Sequence, residues 1–404
     1  MTPSPSYGLP LTLLLVLGFL TVFTPASIDM YLPAMPAMAR SLEASEAQVQ
    51  ATLSVFLLGF ALGPLIAGPL SDRFGRRPVL LTGGVLFVIT SLLCASAGSA
   101  EEMMAWRLLQ AASGGTVTVL ARAVVGDLLS GDEAARIFSI LMLILSIAPM
   151  VAPALGSELL LYFDWRAIFL FLAGMGVIGS LLIWGLLRET LPPERRRPVV
   201  PAAVLRGYVE VLTDPRGAGY LIVSSGASAA FFAALSATPF VFIDYYGMSE
   251  RLFAIQFGAA AVLAMATNTV CIRIVRRVGF LSLVRWSSWA LIAVGLLAFL
   301  QTATGIGGLW ALVACVIWLM GAMQICNANA MAGVMQLFSD RAGAASAAFS
   351  ACRLLAGMAT TLSLGLLYDG TPWSFGLVLA IVALIMPVGL YLLRREAPPA
   401  ADRG

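Results

Sequence analysis

The feature that most constrains the fold is a series of long apolar runs that repeats along the 404-residue chain. A transmembrane helix needs about 20 apolar residues to cross a hydrocarbon core of roughly 30 Å. Only 11% of the residues are charged, against about 25% in soluble domains. We therefore predict a membrane protein. Twelve runs qualify as spans: Leu9–Ala39, Val49–Ala67, Val79–Ala97, Met103–Val125, Ile137–Tyr162, Ala167–Leu187, Gly219–Ile243, Leu252–Ile274, Leu281–Leu300, Leu309–Met335, Ala342–Leu367 and Trp373–Leu393.

The spans are expected to be helices, because lipid offers no hydrogen-bonding partners to an open backbone. The residue alternation of a porin strand is absent. The predicted fold class is an all-α membrane protein with twelve transmembrane helices in two six-helix halves. The polar interval divides the chain into an N-terminal bundle over 1–187, a cytoplasmic linker over 188–217 and a C-terminal bundle over 218–404. Basic loops at Asp72–Gly75 and Arg276–Gly279, 204 residues apart at their first residues, favour a duplicated half.

The basic residues predict the orientation. All 24 are arginine. With a cytoplasmic N-terminus, 18 arginines lie in interior loops or the C-terminal tail, and 3 lie outside. The positive-inside rule then places both termini in the cytoplasm. The first run lacks a basic flank and a small-residue cleavage site, so we expect a retained span and not a signal peptide.

The residue types that are missing narrow the chemistry. Lysine and histidine are absent, so proton transfer is expected to depend on carboxylates. A histidine-based zinc site is excluded. The five cysteines lie in apolar runs without CxxC spacing and are interpreted as packing residues. We expect no metal and no cofactor, and the absence of a Walker A motif argues against an ATP site.

Gly68–Pro78 between the second and third spans reads Gly-Pro-Leu-Ser-Asp-Arg-Phe-Gly-Arg-Arg-Pro. This order resembles the signature loop of the major facilitator superfamily. Asp29–Pro33, Arg107–Gln110 and Ala121–Asp127 narrow the resemblance to drug:proton antiporters of the bicyclomycin and chloramphenicol-resistance type. Phe240–Gly247 extends it through most of the chain, although the first half matches better. The resemblance implies the major facilitator fold, alternating access and a bacterial inner membrane location.

Asp29 is the only charge in the 31 residues of the first run. An intramembrane carboxylate is expensive and is a functional hypothesis by default. The alternative is a helix-end residue wetted from outside, because Pro33 and Pro36 follow closely. Arg107 is expected at a similar depth, where it can pair with Asp29; a snorkelling arginine is the alternative. The resemblance implies proton-linked roles for Asp29 and Arg107.

Charged residues at the inner ends of the spans are expected to close a cytoplasmic gate. We predict a cluster of Asp72, Arg73, Arg122 and Asp127. Family members often carry a second arginine where this chain has Gly126. The full set of candidate gating and signature-loop residues is Gly68, Asp72, Arg73, Gly75, Arg76, Arg77, Arg122 and Asp127.

The fifth span contains Pro149, Pro153 and Gly156. Proline bends a helix, and glycine allows close helix approach. The family's antiporter motif has a Gly-Pro-x-x-Gly core, with Ala152 here in place of its first glycine. The alternative is an ordinary kinked span.

Arg353 lies near the middle of the eleventh span, where it needs a partner or water. Gln324, Asn327 and Asn329 are expected to hydrogen-bond it. We predict that Arg353 lines the substrate cavity and favours a substrate with an acceptor or a negative charge. Further cavity candidates are aromatic, with packing or lipid contact as the alternative; they are Tyr31, Phe56, Phe231, Phe232 and Trp318.

The predicted function is a proton-coupled secondary active transporter that exports small lipophilic drugs or metabolites. A proton-coupled importer or facilitator is the first alternative, which a transport assay in inverted vesicles would discriminate. A membrane-embedded enzyme is disfavoured, because neither a Ser/His pair nor a paired acidic metal motif is present. We expect a monomer in the lipid bilayer with a drug-like small-molecule substrate, protons as the coupling ion and no nucleic-acid partner.

Overall fold

The computed structural model describes residues 10–196, 210–339 and 342–394. Within these residues, twelve helices are long and apolar enough to cross a membrane. They are α1 (Leu11–Ser41), α2 (Glu46–Phe74), α3 (Arg76–Ser96), α4 (Ala100–Leu128), α5 (Gly131–Tyr162), α6 (Arg166–Leu186), α7 (Pro215–Tyr245), α8 (Glu250–Val278), α9 (Phe280–Thr304), α10 (Gly308–Leu337), α11 (Ala345–Leu367) and α12 (Trp373–Arg394). The predicted all-α fold with twelve membrane-spanning helices is confirmed.

The first span is interrupted immediately after Asp29. Its second α-helical segment is Phe23–Asp29, a 3-10 turn follows at Leu32–Ala34, and α-helix resumes at Met35–Ser41. Pro33 explains the break, because proline lacks a backbone N–H and disfavours helical geometry in the preceding residue. Asp29 therefore lies where the regular helical hydrogen-bond pattern stops.

The seventh span also departs from regular α-helix. Its α-helical part, Pro215–Thr238, continues as a π-helix over Pro239–Tyr245. Proline at position 239 removes one backbone donor, and the wider turn accommodates its ring. This irregular segment carries Asp244.

The chain divides into two compact units by its internal contacts. The first consists of Met1–Ala34 and Leu58–Val199, and the second of Met35–Leu57 and Val200–Gly404. The sequence placed the division at the 188–217 linker alone, whereas the contacts assign Met35–Leu57 to the second unit. Linker residues 197–209 lie outside the described residues.

Polar contacts within the second unit explain this assignment. Arg40 Nη1 forms an ion pair with Asp244 Oδ1 at 2.8 Å. The Ser54 and Thr361 hydroxyl oxygens lie 2.6 Å apart and share a buried hydrogen bond. The end of α1 and the start of α2 are therefore held to α7 and α11.

In the first unit, α3 packs against α4 and α6, and α4 also contacts the beginning of α1. In the second unit, α7 packs against α10, α11 and α12. α4 and α7 are the most buried of the twelve described spans, so most of their side chains pack against protein.

Candidate functional site

Arg107 on α4 is fully buried in the first unit. Its Nη1 donates to the Ser27 carbonyl oxygen at 2.9 Å and to Gln110 Oε1 at 2.8 Å. Gln110 Nε2 in turn donates to Ser91 Oγ at 2.8 Å. This chain of hydrogen bonds joins α1, α3 and α4 around a permanent positive charge.

Aromatic rings cover the Arg107 guanidinium. Its Cζ lies 4.3 Å from the centroid of Tyr31 and 5.7 Å from that of Phe169. Trp165 packs edge-on against Phe169 at 5.9 Å between centroids. Such cation–π contacts are strongest when they are desolvated. Tyr31, a predicted cavity residue, is thus a buried stacking partner of Arg107.

Asp29 on α1 is only 5% exposed. Its carboxylate forms no hydrogen bond and no ion pair with any residue that the structure describes. The ion pair with Arg107 that the sequence suggested is not formed. Arg107 instead donates to the backbone carbonyl of Ser27 and stacks on the ring of Tyr31. A buried carboxylate without a cation is costly unless a proton neutralises it.

The predicted antiporter motif on α5 packs directly beside Asp29. A Cβ atom at Gly156 would collide with the carbonyl oxygen of Met30, the residue after Asp29. Ala152 and Pro153 are buried on the same stretch of α5. Pro149 is half-buried, and α5 remains helical through both of its prolines. The motif therefore provides a glycine-dependent backbone contact between α5 and α1.

A second polar cluster lies where α2 ends, α3 begins and α4 ends. Arg76 Nη1 binds Asp72 Oδ1 at 2.6 Å, and Arg76 Nε binds Asp127 Oδ2 at 2.9 Å. Arg76 Nη1 also donates to Ser71 Oγ at 2.6 Å. We call Asp72, Arg76, Asp127 and Glu189 the signature-loop cluster.

Two arginines that the sequence placed in this cluster lie apart from it. Arg73 is exposed, and its guanidinium lies 5.2 Å from the ring of its neighbour Phe74. Arg122 forms no ion pair with a described residue, and its buried Nε has no hydrogen-bond partner there. The bridging cation is Arg76, because its guanidinium contacts both Asp72 on α2 and Asp127 on α4.

Glu189 completes the cluster and was not identified from the sequence. Its carboxylate accepts hydrogen bonds from the backbone N–H groups of Arg76, Arg77, Thr190 and Leu191, at 2.8, 3.2, 3.0 and 3.0 Å. Partial burial acts to raise the pKa of Glu189, but these backbone donors outweigh it and hold the pKa below its usual value. The acid caps the N-terminus of α3 from a position 113 residues away.

The glycine of the signature loop that precedes α3 is required for this contact. Gly75 has a φ of +103°, a conformation that side chains rarely adopt, and a Cβ there would collide with the Glu189 carboxylate. Arg77 is anchored separately, since its Nη2 donates to the Trp184 carbonyl oxygen at 2.7 Å. Gly68 has open space around its Cβ position.

Arg353 on α11 forms a third polar group, within the second unit. Its Nε donates to Ser228 Oγ at 2.7 Å. The Asn327 amide is oriented by its neighbours so that its oxygen accepts from Arg353 Nη2 at 3.1 Å while its nitrogen donates to Ser224 Oγ at 2.7 Å. Asn329 is instead bonded to the Ile325 carbonyl oxygen at 2.8 Å. The predicted contact with Asn327 is therefore present, whereas the one with Asn329 is not.

A cavity of about 250 Å³ adjoins Arg353. Its lining combines amide, apolar and aromatic side chains with a single cation. The lining residues are Asn268, Gln324, Asn327, Ala328, Met331, Phe349 and Arg353. Gln324, a predicted cavity residue, thus shares a cavity with Arg353.

The remaining aromatic candidates are dispersed. Phe56 is buried in the second unit, and Phe231 and Phe232 are half-buried with centroids 5.3 Å apart. Trp318 is 66% exposed and lines a different, outward groove. It precedes Asn327 by nine residues, which is about two and a half helical turns, so the two side chains point in opposite directions.

Comparison with known proteins agrees with this architecture. The family model of the Major Facilitator Superfamily matches residues 17–361. The structure of the nucleoside transporter NupG superposes with a TM-score of 0.74 at 14% identity, covering 96% of this chain and 99% of that one. At this identity the likeness shows the fold alone.

Sequence relatives cover almost the whole chain. An uncharacterized MFS-type transporter, YdgK of Bacillus subtilis, is 34% identical and covers 98% of both chains. A bicyclomycin resistance protein homolog of Haemophilus influenzae is 29% identical over 85% of this chain and 86% of its own. A chloramphenicol resistance protein of Pseudomonas aeruginosa is 32% identical over 94% and 90%, respectively. With the family model and the twelve helices, these matches establish that the chain belongs to the major facilitator superfamily.

Proposed function

We propose that this protein exports small drug-like molecules in exchange for protons, by alternating access. The observation that carries the proposal is Asp29, a carboxylate buried at the break in α1 without a cation partner among the described residues. Such a group exchanges a proton at low cost and holds a bare charge at high cost. The names of two relatives, a bicyclomycin and a chloramphenicol resistance protein, support drugs as the substrate class.

Proton binding at Asp29 acts on a helix contact. The backbone of the next residue, Met30, packs directly against Gly156 on α5. A change of charge at Asp29 therefore occurs beside a tight backbone contact between α1 and α5. Protonation removes the cost of keeping Asp29 in a dry environment. Release of the proton favours a conformation that wets it. The two charge states thereby stabilise different conformations of α1.

Arg107 supplies a fixed charge near this point. It keeps its proton throughout the cycle, and its bonds to Ser27 and Gln110 hold one face of α1 to α4. Its charge also lowers the cost of ionising Asp29 when α1 moves. In this role Arg107 positions α1 and does not itself carry the transported proton.

The signature-loop cluster is proposed to act as a gate at the cytoplasmic end of the first unit. Arg76 holds α2, α3 and α4 together through Asp72 and Asp127, and Glu189 adds the segment after α6. Ion pairs of this kind are bistable elements that separate and re-form as helices move. The cytoplasmic assignment rests on the arginine distribution. We propose that the protein lies in a bacterial inner membrane with both termini in the cytoplasm, and that it works as a monomer.

Inverted membrane vesicles test both direction and coupling. Vesicles from a pump-deficient host that carry the wild-type protein are expected to accumulate chloramphenicol when their lumen is acidified. Asp29→Asn is expected to lose this gradient-driven accumulation while it still binds the drug. The matched control is Glu133→Gln, an exposed acid in the first turn of α5, which should behave like the wild type.

Each outcome has a definite meaning. Equal accumulation by Asp29→Asn and wild type would remove Asp29 from the coupling mechanism. Drug leaving the vesicles under the same gradient would indicate an importer. No gradient-dependent movement of any compound in a panel of antibiotics would overturn the export function.

A further inference from the structure

The second unit contains a half-buried cation, Arg353, that the proposed proton coupling does not use. Of the five N–H donors of the Arg353 guanidinium, the described residues engage two, through Ser228 and Asn327. The three remaining donors, both on Nη1 and one on Nη2, have no acceptor among the residues that the structure describes. They are therefore available to a ligand.

The charge of Arg353 is also unbalanced. No acidic side chain lies within ion-pair distance of it in the described part of the chain. The residues that line the adjoining cavity include no carboxylate. A guanidinium stays charged, and at membrane depth an arginine without a counter-ion is costly. An anion that enters the cavity would remove that cost.

The cavity has the size and lining of a site for an aromatic anion. Its volume of about 250 Å³ is close to the lower end of the roughly 300–1,000 Å³ typical of small-molecule sites. Asn268 and Gln324 add amide donors, and Phe349 adds a ring whose centroid lies 5.6 Å from the Arg353 Cζ. A planar guanidinium with paired free donors matches a carboxylate in geometry as well as in charge.

We propose that Arg353 is the anion-binding residue of a substrate subsite and that this transporter's substrates include aromatic molecules that carry a carboxylate. The proposal rests on the proposed transport function, since it names the substrate class for that activity. Ser228 and Asn327 act as positioning residues, because they hold the guanidinium with its unused donors towards the cavity. The positive charge of Arg353 also disfavours cationic drugs, so the subsite discriminates between substrates by their charge.

The test compares one compound in two charge states. Purified full-length protein in lipid nanodiscs is titrated calorimetrically with nalidixic acid, an aromatic carboxylate, and with its uncharged ethyl ester. Wild type is expected to bind the acid roughly 10-fold to 100-fold more tightly, as the range of about 1.5–3 kcal/mol for a hydrogen bond to a charged group predicts. Arg353→Gln is expected to bind both compounds with equal, weak affinity.

Two further variants keep the test interpretable. Arg353→Lys retains the charge without the planar donor pair, so an intermediate preference for the acid is expected. Arg273→Gln makes the same substitution at an exposed position of α8 and should leave the preference unchanged. If Arg353→Gln does not fold, the wild-type comparison of acid with ester and the Arg353→Lys result still decide the matter.

The inference is overturned if wild type binds the ester as tightly as the acid, binds neither compound, or if Arg353→Gln keeps the preference for the acid. These outcomes are separate from failure of the transport proposal, because calorimetry requires no gradient. Chloramphenicol accumulation in vesicles without an acid preference would leave export standing and remove the anion subsite. A preference for the acid without gradient-driven transport would support the anion subsite and remove the export function.

Discussion

Arg107 illustrates how a single buried residue organises its surroundings. Its charge is shared between carbonyl and amide oxygens on one side and the face of Tyr31 on the other. None of these partners is a carboxylate, so the charge is stabilised by the dipoles of the carbonyl and amide groups and by the face of the Tyr31 ring. Partners of this kind hold the cation in place in every protonation state of a nearby acid.

Arg107→Lys is expected to reduce proton-driven transport at least roughly tenfold. Lysine keeps the charge but loses the planar fork and the stacking on Tyr31, and the loss of a hydrogen bond to a charged group costs about 1.5–3 kcal/mol. Gradient-driven drug accumulation in vesicles measures the effect. Arg136→Lys, at an exposed position on α5, is the matched control. Full transport by Arg107→Lys would show that charge alone suffices.

Glu189 leads to a prediction about pH. A group whose pKa is lowered by folding stabilises the folded state above its unfolded pKa, about 4.3 for glutamate, and loses that contribution as the pH falls through its folded pKa. We expect Glu189→Gln to lower the melting temperature at pH 7, and the difference from wild type to shrink as the pH falls below about 4. Thermal unfolding monitored by intrinsic fluorescence at a series of pH values measures this.

Glu194→Gln provides the comparison for Glu189, because it lies in the same segment and is exposed. Its melting temperature should match that of wild type at every pH. A constant difference between Glu189→Gln and wild type from pH 7 to pH 3 would show that the carboxylate charge is not what stabilises the start of α3.

At the scale of helices, the contact between α1 and α5 depends on the absence of one side chain. Gly156 allows α5 to touch the backbone of α1 at Met30, directly beyond Asp29. A close backbone contact of this type is common where membrane helices pack through small residues. The proline-containing motif of α5 is therefore best understood as part of the wall around Asp29.

Gly156→Ala is expected to lower stability by about 1–3 kcal/mol, as overpacking does, and to impair proton-coupled transport. The added methyl group meets a backbone atom that has no freedom to move aside, so the helices themselves must separate. Gly174→Ala on α6 has open space at its Cβ position and serves as the control. Thermal unfolding and vesicle transport measure the two effects, and a Gly156→Ala protein with wild-type behaviour in both would contradict the role assigned to this contact.

At the scale of the whole molecule, the arginine distribution predicts that both termini face the cytoplasm. A C-terminal green fluorescent protein fusion should fluoresce, and a C-terminal alkaline phosphatase fusion should be inactive. Alkaline phosphatase inserted after Gly98, between α3 and α4, should be active because that loop is predicted to lie outside. Activity of the C-terminal phosphatase fusion would reverse the orientation.

The same distribution separates the arginines into two groups. Eighteen arginines are predicted to lie in inner loops and the tail, whereas Arg107, Arg122 and Arg353 fall within the spans predicted from the sequence. The surroundings of Arg107 and Arg353 differ in the structure. Arg107 is enclosed by hydrogen bonds and rings, and Arg353 faces a cavity with donors to spare.

The sequence by itself determined the fold class, the twelve spans and the family resemblance. Span length follows from the thickness of the bilayer and from local hydrophobicity, so it can be read along the chain without knowledge of distant contacts. The break after Asp29 was not predicted, since hydrophobicity alone makes Leu9–Ala39 one continuous span; Pro33 was the local signal for it. The sequence also singled out Asp29, Arg107 and Arg353 as candidates, because a charge in an apolar run is expensive wherever it finally lies.

Only the tertiary structure decided which groups are partners. In the structure, Asp29 forms no ion pair with Arg107, and Arg76 rather than Arg73 bridges Asp72 and Asp127. Glu189 accepts hydrogen bonds from the start of α3. Hydrogen bonds and ion pairs depend on separations near 3 Å between residues far apart in the chain. Those separations are set by helix packing and rotation, which hydrophobic patterning along the chain does not encode at that precision.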